Sequence, residues 1–445
     1  MSPTALRTPV LLATSNGVGM GHLTRQLTVA LAGAAELDVM LLSLSGALPT
    51  VARASADGRL PGAVGVRFEH CPSRTSPWQG EGAAKVAWRA TWDHYFADRV
   101  RTLAAETGAR VVVFDGVVPY AGLLAAREAM PTTAFVWVRR GMWQAGVGAE
   151  WLARSDAFDL VVEPGDFGAA ADTGPTAGRS GTTRTAPVSL TSVVPPLPRD
   201  EARRALGLDP TRPALLLAPG SGAYADVSTL VAAVLARVAE VAPDWQVAVT
   251  RQAIARHATR ASDQVVVLQD VYPLARYLPA FDAAVSAAGY NAVHEQLAVG
   301  LPTLFVPSTG HETDDQVARV RGVTEIGAAL AATGADDLVA GVDRLLDAGV
   351  RAGLAAACAD LPAADGASTI AALLADLGRA HPAPAWPDRV GPPAWRRAAT
   401  WPRGPVRVVT TPTPPVDDEP TEQLVAGASP RYREARRRTS HWLYR

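Results

Sequence analysis

His22 closes a glycine-rich run, Gly17-Val18-Gly19-Met20-Gly21-His22-Leu23-Thr24-Arg25. A free imidazole titrates near working pH, so His22 can take a proton from a hydroxyl as a general base. A carboxylate usually orients such a base, and Asp115 ends the apolar run Val111-Val112-Val113-Phe114. A second group lies far along the chain. Glu295 stands one turn into the helix that spacing predicts over Asn291–Val299, just after Gly289 and Tyr290. Its carboxylate can accept hydrogen bonds from both hydroxyls of a ribose, while Asp315-Gln316 offers an acceptor and an amide suited to sugar hydroxyls. The small-residue turn Gly220-Ser221-Gly222 and the turn at Gly289 let backbone N–H groups approach phosphate. The same residues also fit an ordinary strand–helix crossover with a capped helix, a first-turn His22, a turn-capping Asp115 and a solvated acidic loop.

The elements that must hold these residues alternate in type. Pro9–Thr14, Asp38–Ser45, Val111–Asp115, Thr133–Val138 and Leu160–Glu163 read as buried strands, with helices between them. Arg67–Pro77 with Trp78, Gln79 and Gly80 reads as an irregular loop, and Ala169–Pro187 as another. Trp88, Trp92 and Tyr95 recur at helical spacing, which predicts core positions. The pattern then restarts with strands at Ala214–Ala218, Trp245–Thr250, Val265–Leu268, Ala283–Ala287 and Thr303–Val306. Strand–helix alternation of this kind builds a doubly wound parallel sheet, whose ligands bind at the strand ends. A glycine turn after a first strand also invites a dinucleotide reading. That reading wants an acid at the end of the second strand, and Asp38–Ser45 ends in serine instead.

Proline marks the division. Val193-Val194-Pro195-Pro196-Leu197-Pro198 predicts a stiff linker over 191–200. It separates an N-terminal domain over 1–190 from a C-terminal domain over 201–380. From His381 the composition turns to Pro, Trp, Arg and Thr, and 381–445 reads as an extended or disordered tail whose basic aromatic end invites anionic lipid or a partner. The 445 residues carry 48% hydrophobic and 19% charged side chains with a net charge of -1, which gives no general attraction to nucleic acid. Two cysteines, Cys71 and Cys358, lie too far apart for a metal motif and make no disulfide framework. With no signal peptide or spanning segment in the sequence, a cytoplasmic protein is expected, with peripheral contact at the inner face of the membrane left open.

Gly289-Tyr290-Asn291 with Glu295, then Gly300-Leu301-Pro302, then Asp315-Gln316, resembles the donor-binding signature of GT-B nucleotide-sugar glycosyltransferases. The pattern is most similar to the peptidoglycan N-acetylglucosaminyltransferase and UDP-glycosyltransferase groups. Gly19, Gly21, His22 and Arg25 resemble the acceptor-side loop of the same families, and Pro219-Gly220-Ser221-Gly222 resembles the loop that opens their donor domain. The resemblance spans most of Val10–Leu377 by motif order. It implies two Rossmann-like α/β domains facing a central cleft, and an inverting transfer of a hexose or N-acetylhexosamine from a UDP-sugar to a hydroxyl, as in cell-envelope glycan synthesis. By position, Glu295 would hold the ribose, Asp315 and Gln316 the sugar, and Val271 and Tyr272 would lie by the nucleotide base. His22 would be the base facing the cleft, with Asp115 supporting it.

The resemblance further implies that the sugar nucleotide is a substrate, that no cofactor or metal takes part, and that the acceptor is a glycan, glycolipid or small molecule. One position departs: where many UDP-glycosyltransferases carry a phosphate-binding histidine, this chain has Ala287. Phosphate must then meet backbone amides or another loop. Two alternatives stay open: a UDP-N-acetylglucosamine 2-epimerase-like enzyme, which shares the two-domain architecture but needs no acceptor, and a non-catalytic sugar-nucleotide-binding protein.

Overall fold

The computed structural model describes residues 7–15, 19–63, 65–74, 82–220, 227–251 and 265–381. The tail reading, the Trp78-Gln79-Gly80 loop and the expected phosphate contacts Ser221 and Gly222 lie outside the described residues.

The first lobe is a seven-stranded sheet of β1 (Thr8–Thr14), β2 (Leu37–Ser43), β3 (Arg67–His70), β4 (Val111–Asp115), β5 (Ala134–Val138), β6 (Leu160–Pro164) and β7 (Thr183–Thr185), in the order β3-β2-β1-β4-β5-β6-β7. All its pairings are parallel. Its helices are α1 (Gly21–Ala32), α2 (Leu48–Ala56), α3 (Gly82–Thr107), α4 (Ala121–Ala129) and the single turn α5 (Ala149–Leu152). The central strands β4 and β5 are buried at every residue, as their unbroken apolar runs require in a sheet covered on both faces.

The second lobe opens with α6 (Arg199–Leu206) and holds β8 (Ala214–Ala218), β9 (Gln246–Arg251), β10 (Val265–Gln269), β11 (Ala283–Ala287), β12 (Thr303–Val306) and β13 (Leu330–Ala331). Its parallel order is β10-β9-β8-β11-β12-β13. The helices are α7 (Ser228–Val241), α8 (Tyr290–Ala298), α9 (Gln316–Glu325), α10 (Ala335–Leu346) and α11 (Ala348–Ala359). In each lobe the strand order reverses beside the first strand, between β1 and β4 and between β8 and β11. Such switch points open a crevice at the carboxyl ends of the strands, where ligands bind.

Four features depart from the sequence reading. Residues Arg67–His70 form a strand, β3, although their sequence lacks the apolar run of a buried one; as an edge strand it buries no residue fully. Thr183–Thr185, read within a loop, adds the opposite edge as β7. Tyr95 is 44% exposed, whereas Trp92 is 2% exposed and stacks on Phe96 at 4.8 Å. Finally, α12 (Gly366–Ala380) leaves the second lobe and returns to the first. Its Ile370 and Leu374 are fully buried in one cluster with Val10, Leu27 and Val111. The segment 366–380, placed by pattern with the C-terminal domain, therefore completes the first lobe's core. The proline linker is likewise packed: Val194 is fully buried in that cluster, and Leu197 N–H donates to Arg276 O at 2.8 Å.

Candidate active site

The β1/β4 switch point carries the first group. β1 and β4 pair with Thr14 opposite Asp115, so Asp115 stands at the carboxyl edge beside the entry to α1. His22, Arg25 and Gln26 lie at i, i+3 and i+4 on α1, spacing that puts all three side chains on one face. All three reach Asp115. His22 Nδ1 lies 2.7 Å from Oδ1. Arg25 Nε donates to Oδ2 at 2.8 Å, its Nη2 donates to Oδ1, and Gln26 Nε2 donates to Oδ2 at 3.0 Å. The carboxylate is fully buried, while the His22 side chain keeps 21% of its surface.

Electrostatics fix the protonation states. Burial opposes the charge on Asp115, but the Arg25 guanidinium and the hydrogen bonds of His22 and Arg25 overcome it and hold the carboxyl well below the usual range. Burial pushes His22 down from its ordinary value; Asp115 opposes this, and Arg25 and Arg140 add to it. A neutral imidazole whose Nδ1 proton faces a carboxylate leaves Nε2 as a free base.

The two lobes meet edge to edge through the loops that follow their strands. Tyr290, first residue of α8, donates to Gly165 O at 2.8 Å and accepts from Val188 N–H at 3.0 Å. Its ring lies between two guanidiniums, 5.2 Å from Arg25 of the first lobe and 5.9 Å from Arg319 of the second. Asn291 Nδ2 donates to Gly21 O at 3.3 Å. Arg319 is fully buried and pairs with Asp166 at 2.7 Å and Asp314 at 2.9 Å, and Arg140 joins Asp314 at 3.1 Å. A short antiparallel bridge between Trp143 and Asp314 stitches the same loops.

The β8/β11 switch point carries the second group. Gly220 follows β8 with φ of +100°, and a side chain there would meet Ala287 Cβ at 3.4 Å. The turns after β8 and β11 are thus adjacent, as backbone capture of a phosphate requires. Gly289 precedes α8 with extended backbone and no side-chain cap, and open space lies where its Cβ would stand. Glu295 is half-buried one turn further on. Among the described residues no hydrogen bond or ion pair engages its carboxylate, which burial pushes up to about 8. Hydrogen-bond donors from a ribose would favour the ionised form.

Several other expected site residues make contacts of their own. Arg25, expected on the acceptor side, is 2% exposed and committed to Asp115. Tyr272, expected by the nucleotide base, is packed into the first lobe's core cluster. Its hydroxyl meets Thr24 Oγ1 at 3.2 Å, and its carbonyl accepts from Arg59. It ties the lobes together. Val271 is half-buried against the second lobe's core. Gln316 is turned inward: Oε1 accepts from Ser308 N–H at 2.9 Å and Nε2 donates to Asp314 at 3.1 Å. Asp315 caps α9 through Oδ1, which accepts from Ala318 N–H. Gly19 and Gly21 line the α1 entrance with open space at their Cβ positions.

Sequence reasoning placed Asp314 in the ligand-edge loop but missed Gln26, the pairing of Asp314 with Arg140, and Arg319. The i, i+4 spacing from His22 would have found Gln26; the others gain meaning only when the lobes face each other. Among the described residues no group of three His, Cys, Asp or Glu side chains is placed to hold a metal, and no helix is long and apolar enough to cross a membrane.

The arrangement of two parallel lobes meeting at their strand ends is the GT-B fold. The glycotransferase of kitacinnamycin superposes with a TM-score of 0.55 at 18% identity, covering 84% of this chain and 99% of that one. SnogD of Streptomyces nogalater, a glycosyltransferase, gives 0.53 at 18% identity over 84% and 100%. MurG of Acinetobacter baumannii gives 0.52 at 15% over 83% and 99%. At these identities the likeness shows the fold.

Among curated proteins, the UDP-N-acetylglucosamine--N-acetylmuramyl-(pentapeptide) pyrophosphoryl-undecaprenol N-acetylglucosamine transferase of Clavibacter sepedonicus is 32% identical over 196 residues, 41% of this chain and 51% of its own length. The protein of that name from Cutibacterium acnes is 33% identical over 180 residues, 38% and 48% of the two chains. The chain spans about half the length of the curated relatives it matches. No family model matches it.

Proposed function

We propose that the chain is an inverting glycosyltransferase that moves a sugar from a UDP-sugar to an acceptor hydroxyl and releases UDP. The observation that carries this reading is the His22–Asp115 pair at 2.7 Å, set at the carboxyl edge of one sheet and facing the turn and helix start of the other. The donor lies on the second lobe. Glu295 accepts from its ribose hydroxyls, and backbone amides at Gly220 and Gly289 with the N-terminus of α8 receive the diphosphate. Asp315, with Oδ2 left over from capping, accepts from a sugar hydroxyl, and Gln316 holds the loop that presents it.

The acceptor enters past Gly19 and Gly21. His22 Nε2 takes its hydroxyl proton as the oxygen attacks the anomeric carbon from the face opposite the leaving diphosphate. The bond to UDP breaks in the same step, and the configuration inverts. Negative charge developing on the diphosphate is stabilised by helix and turn amides already oriented towards it. The sugar named in the curated relatives makes N-acetylglucosamine the first donor to try, with a cytoplasmic or inner-membrane-face setting for a lipid-linked acceptor.

The test is UDP release from UDP-N-acetylglucosamine with and without a panel of lipid-linked, glycan and small-molecule acceptors. Release that requires an acceptor supports a transferase. Conversion of the donor alone would indicate an epimerase, and no conversion of any UDP-sugar would indicate a binding protein.

A further inference from the structure

Asp115 receives more donors than the orientation of one histidine requires. Arg25 is the most committed of them. Both its Nε and its Nη2 bind the carboxylate, and Nη2 also stands 3.1 Å from His22 Nδ1. Its guanidinium carbon also lies over the Tyr290 ring of the second lobe, 5.2 Å from the centroid. Tyr290 is itself fixed at its hydroxyl by two backbone groups, so it forms a rigid back wall.

We propose that Arg25 is a positioning residue for the base: packed against the second lobe's Tyr290, it locks the Asp115 carboxylate, and its charge beside Nδ1 adds to burial in keeping the His22 imidazole neutral. The functional meaning rests on His22 being the base, but the electrostatic claim stands apart from it.

Among the described residues, three charged groups face His22. Asp115 comes from β4, Arg25 from the same helix, and Arg140 from the segment after β5. Arg25 in turn faces Asp115, Tyr290 of α8 and Asp314 at the start of α9. With Arg25 present, one carboxylate is shared between a guanidinium and the imidazole, and protonating the imidazole places a second positive charge beside the first. Without it, Asp115 would serve His22 alone and stabilise the imidazolium. A His–Asp pair left to itself titrates above the ordinary histidine value. A base that is already protonated accepts nothing, so Arg25 keeps the pair useful at neutral pH.

The experiment follows the His22 imidazole by NMR in the full chain labelled at histidine Cε1, the signal being assigned by its loss in His22→Gln. Wild type, Arg25→Met, Arg25→Lys and Tyr290→Leu are titrated. The methionine variant keeps bulk and removes charge; Arg25→Gln serves if it does not fold. The wild-type midpoint is expected below about 6.5, and Arg25→Met should raise it by about one unit. Arg25→Lys should bring it back down, and Tyr290→Leu should fall between wild type and Arg25→Met.

Greater exposure alone can carry a histidine only to about 6.5. A rise that stops there and is the same in Arg25→Lys would therefore overturn the proposal, as would an unchanged or lowered midpoint. No substrate is needed. Absence of transferase activity would refute the proposed function and leave this result standing.

Discussion

At the scale of single residues, the account turns on two carboxylates treated in opposite ways. Asp115 is fully buried with four donors from one helix face and stays ionised. Glu295 is half-buried with no partner among the described residues, and its carboxyl is pushed up to about 8. The first is a fixed charge held against His22; under the proposed function it orients a base, and the second takes its donors from a ribose. Removing the base, His22→Ala, should cut kcat by about 10²- to 10⁴-fold with donor KM nearly unchanged, as steady-state rates would show. Asp115→Asn, which keeps the shape and loses the charge, should cost a comparable factor. The sign of the pH effect follows from His22 being lowered. Its neutral form persists below the ordinary histidine value, so kcat at saturating donor, where the ribose already holds Glu295 ionised, should fall off only at pH below about 6.5. An acid limb above that value would contradict a lowered base.

At the scale of elements, two helix starts face one another. α1 begins at Gly21, whose carbonyl accepts from Asn291 at the start of α8. Both helices follow the strands at a reversal of strand order, and that topology brings the first turns together. Where α9 passes the first lobe, the chains approach more closely than side chains permit. A Cβ on Gly322 would stand 2.5 Å from Gly168 O, and one on Gly168 would stand 2.4 Å from Arg319 O. Gly322→Ala should therefore push α9 off the loop that holds Asp166 and cost about 1–3 kcal/mol. A calorimetric scan should show the midpoint falling by several degrees. Gly353→Ala on α11, where nothing lies within 4 Å, is the matched control and should leave the midpoint unchanged or slightly raised.

Much at this level was legible from sequence. Buried runs such as VVVFD, glycine turns and a single proline stretch give the strands, the switch points and the His22–Asp115 pair. Local pattern does not carry the edges. Arg67–His70 and Thr183–Thr185 are strands because a neighbour offers them hydrogen bonds, and their own residues are polar. The commitment of Arg25 to Asp115 and of Tyr272 to the first lobe's core depends on partners far away in the chain. No spacing rule reports them.

At the scale of the whole molecule, the lobes are joined at three levels. The linker is packed at Val194, Tyr290 and Tyr272 reach across to the first lobe, and α12 returns to seal its core. A buried alternation of Asp166, Arg319, Asp314 and Arg140 lies along the junction. Truncating one member of such a network leaves a buried charge without its counter-ion, a loss of about 3–5 kcal/mol. The junction thus holds the base of one lobe at a fixed place over the turns of the other. Under the proposed function, a donor bound to the second lobe would present its anomeric carbon to His22.

That claim is tested most directly by titrating UDP and UDP-N-acetylglucosamine calorimetrically into the wild type and into Glu295→Ala. The account predicts that wild type binds both, and that Glu295→Ala keeps its thermal stability and loses about 10- to 100-fold in affinity, the worth of charge-assisted hydrogen bonds to a ribose. A wild type that binds neither ligand, or a Glu295→Ala protein that binds UDP as tightly as wild type, would contradict it.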